Sequence, residues 1–144
     1  MSLLEVRDLE VSFDTPRGSV KALDGVNFSL DQGETLASVG ESGSGKSVTV
    51  RSIMSLLPST ATITGHATFE DVDLFDIPPL RAKHLFGVDI SMIFQDPMTS
   101  LNPLLTVGRQ LTEVLEVHRG QSQREARAAC AAGLGDVGLS LIHI

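Results

Sequence analysis

An α/β fold, with an antiparallel β layer leading into a phosphate-binding unit, is what this 144-residue chain predicts. Three observations predict it. Gly40-Glu41-Ser42-Gly43-Ser44-Gly45-Lys46-Ser47 fits the pattern G-x-x-x-x-G-K-[ST], and it lies between an apolar run at 35–39 and an apolar, helix-like stretch at 47–57. Two alternating segments, 3–14 and 20–30, precede it. A second nearly continuous apolar run, 88–94, has the composition of a buried parallel strand.

In chain order, Leu4, Val6, Leu9, Val11 and Phe13 are set among charged and small residues, as in a half-buried strand. Thr15-Pro16-Arg17-Gly18 supplies turn chemistry. Ala22, Val26, Phe28 and Leu30 continue the alternation, with Asp24-Gly25 as a turn or bulge, and 31–34 is a further tight turn. Phe13 reads either as core or as an aromatic able to stack on a flat adenine ring.

The glycine loop explains its own spacing. Glycines let successive backbone N–H groups face an anion where any Cβ would crowd it. Lys46 is placed to reach the β- and γ-phosphates of a nucleotide, and the Ser47 hydroxyl to ligate Mg²⁺. The helix from Ser47 presents its N-terminus to the same phosphates.

After Pro58, residues 62–70 read as a strand, and Pro78-Pro79 leads into a short helix near 80–86. Asp71 and Asp73 fit a solvated acidic turn better than a calcium loop, which needs further ligands. The run 88–94 ends in a polar, Pro-bounded loop, the place where α/β proteins put ligand-sensing groups. Residues 104–119 are amphipathic, with Val107, Leu111, Val114, Leu115 and His118 on one side. Ser122-Gln123-Arg124-Glu125 is a capping box, and Gly133, Gly135 and Gly138 are expected to end the helix it opens.

Acidic residues number 18 against 11 basic, a formal charge of −7 that argues against general nucleic-acid affinity. A lone Cys130 excludes an internal disulfide, and the four histidines lack metal-ligand spacing. No apolar run approaches the length of a membrane span and no secretory leader is legible, so the expectation is a soluble, cytoplasmic chain that meets a membrane through a partner.

Taken together, Phe13, the loop Gly40 to Ser47, Gln95, and the run Met92-Ile93-Phe94-Gln95-Asp96-Pro97-Met98-Thr99-Ser100-Leu101-Asn102-Pro103 resemble the ATP-binding subunit of an ABC transporter, in the dipeptide, oligopeptide and nickel importer branch. The resemblance implies an ABC-type nucleotide-binding domain of the P-loop NTPase class that couples ATP hydrolysis to solute import. Phe13 falls at the adenine-stacking position. Gly40, Glu41, Ser42, Gly43, Ser44, Gly45, Lys46, Ser47 and Val48 form the phosphate and cofactor site for ATP with Mg²⁺. Gln95, at the position of the family's Q-loop glutamine, is implied as catalytic and metal-contacting, sensing the γ-phosphate. The loop Asp96 to Pro103 is implied to touch transmembrane permease subunits, and a second ATP-binding subunit to complete each ATP site, at the cytoplasmic face of the membrane. No nucleic-acid partner is implied.

The resemblance covers residues 1–138. The family's signature motif, Walker B strand, D-loop and switch histidine lie downstream, so the expectation is an inactive part of a longer protein that stops within the helical subdomain. Ser38 is smaller and more polar than the aliphatic residue usual in that strand. Residues 139–144, Leu-Ser-Leu-Ile-His-Ile, can be encoded by CTG TCT CTT ATA CAC ATC, a transposon end used in sequencing adaptors, and read as a non-native tail. Rival readings are a non-transport ABC ATPase acting on nucleic acid and a small-molecule P-loop kinase; the acidic balance disfavours the first and the β layer before the loop disfavours the second.

Overall fold

The computed structural model describes residues 2–95 and 101–139. The chain separates into two units, 1–82 and 83–144.

The first unit is a four-stranded antiparallel sheet with one helix against it. Strands β1 (Ser2–Thr15), β2 (Gly18–Asp31), β3 (Ala61–Phe69) and β4 (Val72–Asp73) lie in the order β2-β1-β3-β4. Pro16-Arg17 makes the β1–β2 turn, where the Thr15 hydroxyl donates to the Gly18 carbonyl at 2.6 Å. The core is Val6, Leu9, Val11, Leu23 and Ala67 with Ile53, Val72 and Leu74.

Val6, Leu9 and Val11 cannot share a face under strict alternation, because 6 and 9 differ in parity. They do so here through two of the hairpin's four register shifts, which form offset bulges. Between the pairs Val6↔Phe28 and Leu9↔Val26 the extra residue is in β1; between Leu9↔Val26 and Val11↔Leu23 it is in β2, at Asp24-Gly25. The second bulge turns Leu23, rather than the expected Ala22, fully into the core. At the first, Asp8 takes a positive φ of 48° and its N–H donates to Asn27 Oδ1 at 2.8 Å; Asn27 in turn donates to the Gly25 carbonyl.

Residues 34–41 do not form the expected buried strand. They are irregular and exposed, with Val39 at 93% accessibility. A parallel strand needs a ladder on at least one side, and among the described residues all four strands of this sheet pair antiparallel with one another. Helix α1 (Lys46–Ile53) lies against β1 and β2 and buries Ser52 and Ile53. It stops four residues short of the expected end, because Ser55 turns left-handed (φ 54°) and the Leu56 N–H closes back on the Arg51 carbonyl at 2.8 Å. Asp73 accepts from the Phe75 N–H at 2.9 Å, so it serves its own acidic turn.

Helix α2 (Pro79–His84) runs into the second unit. The expected strand at 88–94 is likewise not formed. Residues Leu85–Asp89 make an irregular turn around Gly87 (φ 110°), with a single bridge between Phe86 and Ile90, and Ile93 stands 96% exposed. Helices α3 (Val107–Arg119) and α4 (Gln123–Asp136) pack on each other, burying Thr112 and Ala126. Both members of the expected capping box are in place at Ser122 and Glu125. Helix α4 continues through Gly133 and Gly135, which were expected to end it. A glycine costs about 1 kcal/mol in a helix interior, and the cap with the Ala-rich run before it carries the helix on to Asp136.

Candidate functional site

The glycine loop joins the irregular segment 34–41 to α1, and its backbone follows the glycines. Gly43 (φ 85°) and Gly45 (φ 90°) adopt left-handed conformations that a side chain would strain. Gly45 is buried against β2: a Cβ there would lie 2.5 Å from Leu23 Cδ2 and 3.2 Å from the Ala22 carbonyl oxygen. Leu23 and Ala22 thus form the floor on which the loop rests. Motif reading misses that role, since nothing in the spacing links β2 to the loop. A Cβ on Gly40 would meet Ser44 Oγ at 2.7 Å, so the loop closes tightly at its other end too.

Lys46 opens α1, and its ammonium turns back into the loop. Nζ donates to the carbonyls of Gly40 (2.6 Å) and Glu41 (2.7 Å) and to Ser44 Oγ (3.1 Å). A cation, a helix N-terminus and a glycine backbone that excludes Cβ atoms therefore converge on one loop. This is a cradle that fits a phosphate group. Ser47 is exposed in the first turn of α1, and Val48 is half-buried beside it. Glu41, Ser42 and Ser44 are exposed along the loop.

Phe13 sits near the end of β1, paired with Val20 on β2 and Ala61 on β3. Its ring is half-buried, whereas Val11 two residues earlier is fully buried, so Phe13 lies at the margin of the core. Gln95 belongs to the second unit, exposed at a bend after the irregular residues 91–94. Of the loop Asp96 to Pro103, residues 96–100 lie outside the described residues, and Leu101, Asn102 and Pro103 are exposed.

Beyond that loop, Thr106 caps α3 by accepting from the Arg109 N–H at 3.3 Å. Arg109 Nη1 donates to Glu116 Oε2 at 2.7 Å, a contact that holds the Glu116 carboxyl below the usual range. No cluster of three His, Cys, Asp or Glu side chains suited to a metal occurs among the described residues. Nor is any of the described helices long and apolar enough to cross a membrane.

The loop lies within a segment that matches a known protein family. The ABC transporter family matches residues 23–142, a span that includes the whole glycine loop and Gln95. The chain belongs to the ABC transporter family. ATP is the nucleotide of this family's domain, and the α/β class with its antiparallel layer before the loop is that of the family.

Among relatives, the chain is 53% identical over 124 residues to the oligopeptide transport ATP-binding protein OppD of Salmonella typhimurium, covering 86% of this chain and 37% of that protein. It is 50% identical over 141 residues to OppD of Bacillus subtilis (96% and 39%). It is 50% identical over 139 residues to the dipeptide transport ATP-binding protein DppD of the same organism (95% and 42%). The chain therefore spans about two fifths of the length of these curated ABC relatives.

Proposed function

We propose that this chain is the nucleotide-binding part of an ABC transporter subunit that couples ATP hydrolysis to the import of peptides or related small solutes. The observation that carries the reading is the glycine cradle around Lys46, in a chain half identical to oligopeptide and dipeptide transport ATP-binding proteins. In this reading Lys46 and the amides of the loop take the β- and γ-phosphates, and Phe13 lies against the adenine. Ser47 and Gln95 are the residues that would hold Mg²⁺, which supplies charge neutralisation at the phosphates. Gln95 orients the attacking water and registers the γ-phosphate, and catalysis rests on positioning and charge stabilisation rather than on a covalent intermediate. The loop Asp96 to Pro103 meets a transmembrane permease, and a second ATP-binding subunit completes each site. The protein thus sits peripherally at the cytoplasmic face of the membrane.

Lys46→Ala in the full-length protein tests the reading. Charge-assisted hydrogen bonds contribute about 1.5–3 kcal/mol each, so ATP affinity is expected to fall roughly 10- to 100-fold, with loss of turnover. Fluorescence titration with a nucleotide analogue measures the first and phosphate release the second; unchanged affinity refutes the site. Residues 1–144 expressed alone serve as a second arm and are expected to show no Lys46-dependent phosphate release. Support for that expectation is the solvent-facing Val39 and Ile93, in the segments that lead into the loop and Gln95.

A further inference from the structure

The approach to α3 is held by a side chain that neither the glycine motif nor the Gln95 segment includes. Gln110, in the first turns of α3, reaches back to the loop before the helix. Its Oε1 accepts from the Asn102 N–H at 2.7 Å. Its Nε2 donates to the Asn102 carbonyl and to the Leu105 carbonyl, both at 3.0 Å. Both amide donors and the acceptor oxygen are therefore engaged with backbone, from a half-buried position.

Asn102 tightens the same turn from within. Its Oδ1 accepts from the Leu104 N–H at 2.9 Å, and its carbonyl also accepts from the Leu105 N–H at 3.1 Å. The N–H groups of Asn102, Leu104 and Leu105 and the carbonyls of Asn102 and Leu105 are thus tied to one helix side chain and to the turn itself, while Leu104 on that turn stands 90% exposed. An exposed apolar loop ordinarily moves independently of the helix it enters. This one is bracketed to α3 by three hydrogen bonds spanning residues 102 to 110.

We propose that Gln110 is a positioning residue that makes the 102–105 loop and α3 move as one piece, so that a push on the loop by a membrane-embedded partner is delivered to the helix. This rests on the reading above, in which the neighbouring residues to Pro103 meet a permease. The bracket is the step after that contact: without it the loop yields and α3 does not follow.

The test uses the full-length subunit assembled with its permease, comparing wild type, Gln110→Met and Thr106→Ala. Met keeps the length and helix propensity of Gln and removes all three bonds. Thr106→Ala weakens the same helix terminus through its cap while sparing the bracket. In Gln110→Met, hydrogen exchange at the Asn102 amide is expected to accelerate on the order of tenfold or more. Basal hydrolysis and the KM for ATP should stay within about twofold, and the permease-stimulated increment in kcat should fall by about fivefold or more. Thr106→Ala should keep that increment.

Three results overturn the proposal: unchanged Asn102 exchange, which means no bracket; a preserved increment despite faster exchange; or an equal loss of increment in Thr106→Ala, which means a merely structural role. A wild-type subunit that its permease does not stimulate refutes the transporter reading itself and the inference with it. That failure appears in the wild-type arm alone, so the two are distinguishable.

Discussion

Gly65 on β3 faces the first bulge of β1 and is the position least able to accept a side chain. Its φ is +97°, beyond the left-handed well that an L-residue tolerates, and a Cβ there would press on the Asp8 carbonyl oxygen, 2.6 Å from its carbon and 2.7 Å from the Arg7 oxygen. Gly65→Ala should therefore incur two penalties: about 1–2 kcal/mol for the backbone conformation and about 1–3 kcal/mol for a backbone overlap that no rotamer change can relieve. Gly33→Ala separates them, because Gly33 has a φ of +79° and nothing within 4 Å of an added Cβ. Urea unfolding of the full-length protein should show Gly65→Ala less stable than Gly33→Ala by about 1–3 kcal/mol, the steric share. ATP affinity should be unchanged in both, since the bulge holds Val6, Leu9 and Val11 in the core rather than touching the glycine loop. Equal destabilisation in the two variants, within about 0.5 kcal/mol, would refute the bulge geometry.

Gln95→Ala in the full-length protein should leave ATP binding within about twofold and lower turnover on the order of a hundredfold, the pattern of an interaction made in the transition state; a collapse of affinity in the titration would assign Gln95 a structural role instead. The Ser122 hydroxyl and N–H donate to the Glu125 carboxylate at 2.6 and 2.9 Å and hold its pKa below the ordinary 4.5. A depressed folded-state pKa means that this stabilisation is present above about pH 4.5 and is lost as pH falls through the folded value. In Ser122→Ala, carbon-detected NMR should therefore show the Glu125 midpoint moving up toward its ordinary value, and an unmoved midpoint would count against the capping box.

What was legible in the sequence divides along physical lines. The glycine loop, the hairpin turn at Pro16-Arg17, the Asp24-Gly25 bulge and the capping box at Ser122 depend on residues close together in the chain, and each is found where local chemistry places it. The bulge near Asp8 was also written in the sequence, as a change of parity between Val6 and Leu9. Both halves of β1 alternate well separately, which masks the change. The strands at 35–39 and 88–94 were read from apolar composition alone. Strand formation depends on a neighbouring ladder, which composition does not specify, and both segments are irregular here. The site shows the same division: Lys46 and its loop are local and were readable, whereas the support of Gly45 by Leu23 crosses from one element to another.

The three bonds that Lys46 makes within its own loop bear on selectivity. An ammonium has three N–H groups, and here all three are spent on two carbonyls and a hydroxyl. A ligand entering the loop therefore does not meet a bare cation; it competes with neutral oxygens already in place. Uncharged or weakly basic oxygens, such as those of sugars, exchange one neutral acceptor for another and gain little. A polyphosphate oxygen carries charge and forms a bond roughly twice as strong as the one it displaces. On the proposed reading, the loop's own carbonyls would set a threshold favouring highly charged anions, and the affinity for ATP would be the difference between two sets of bonds to the same lysine.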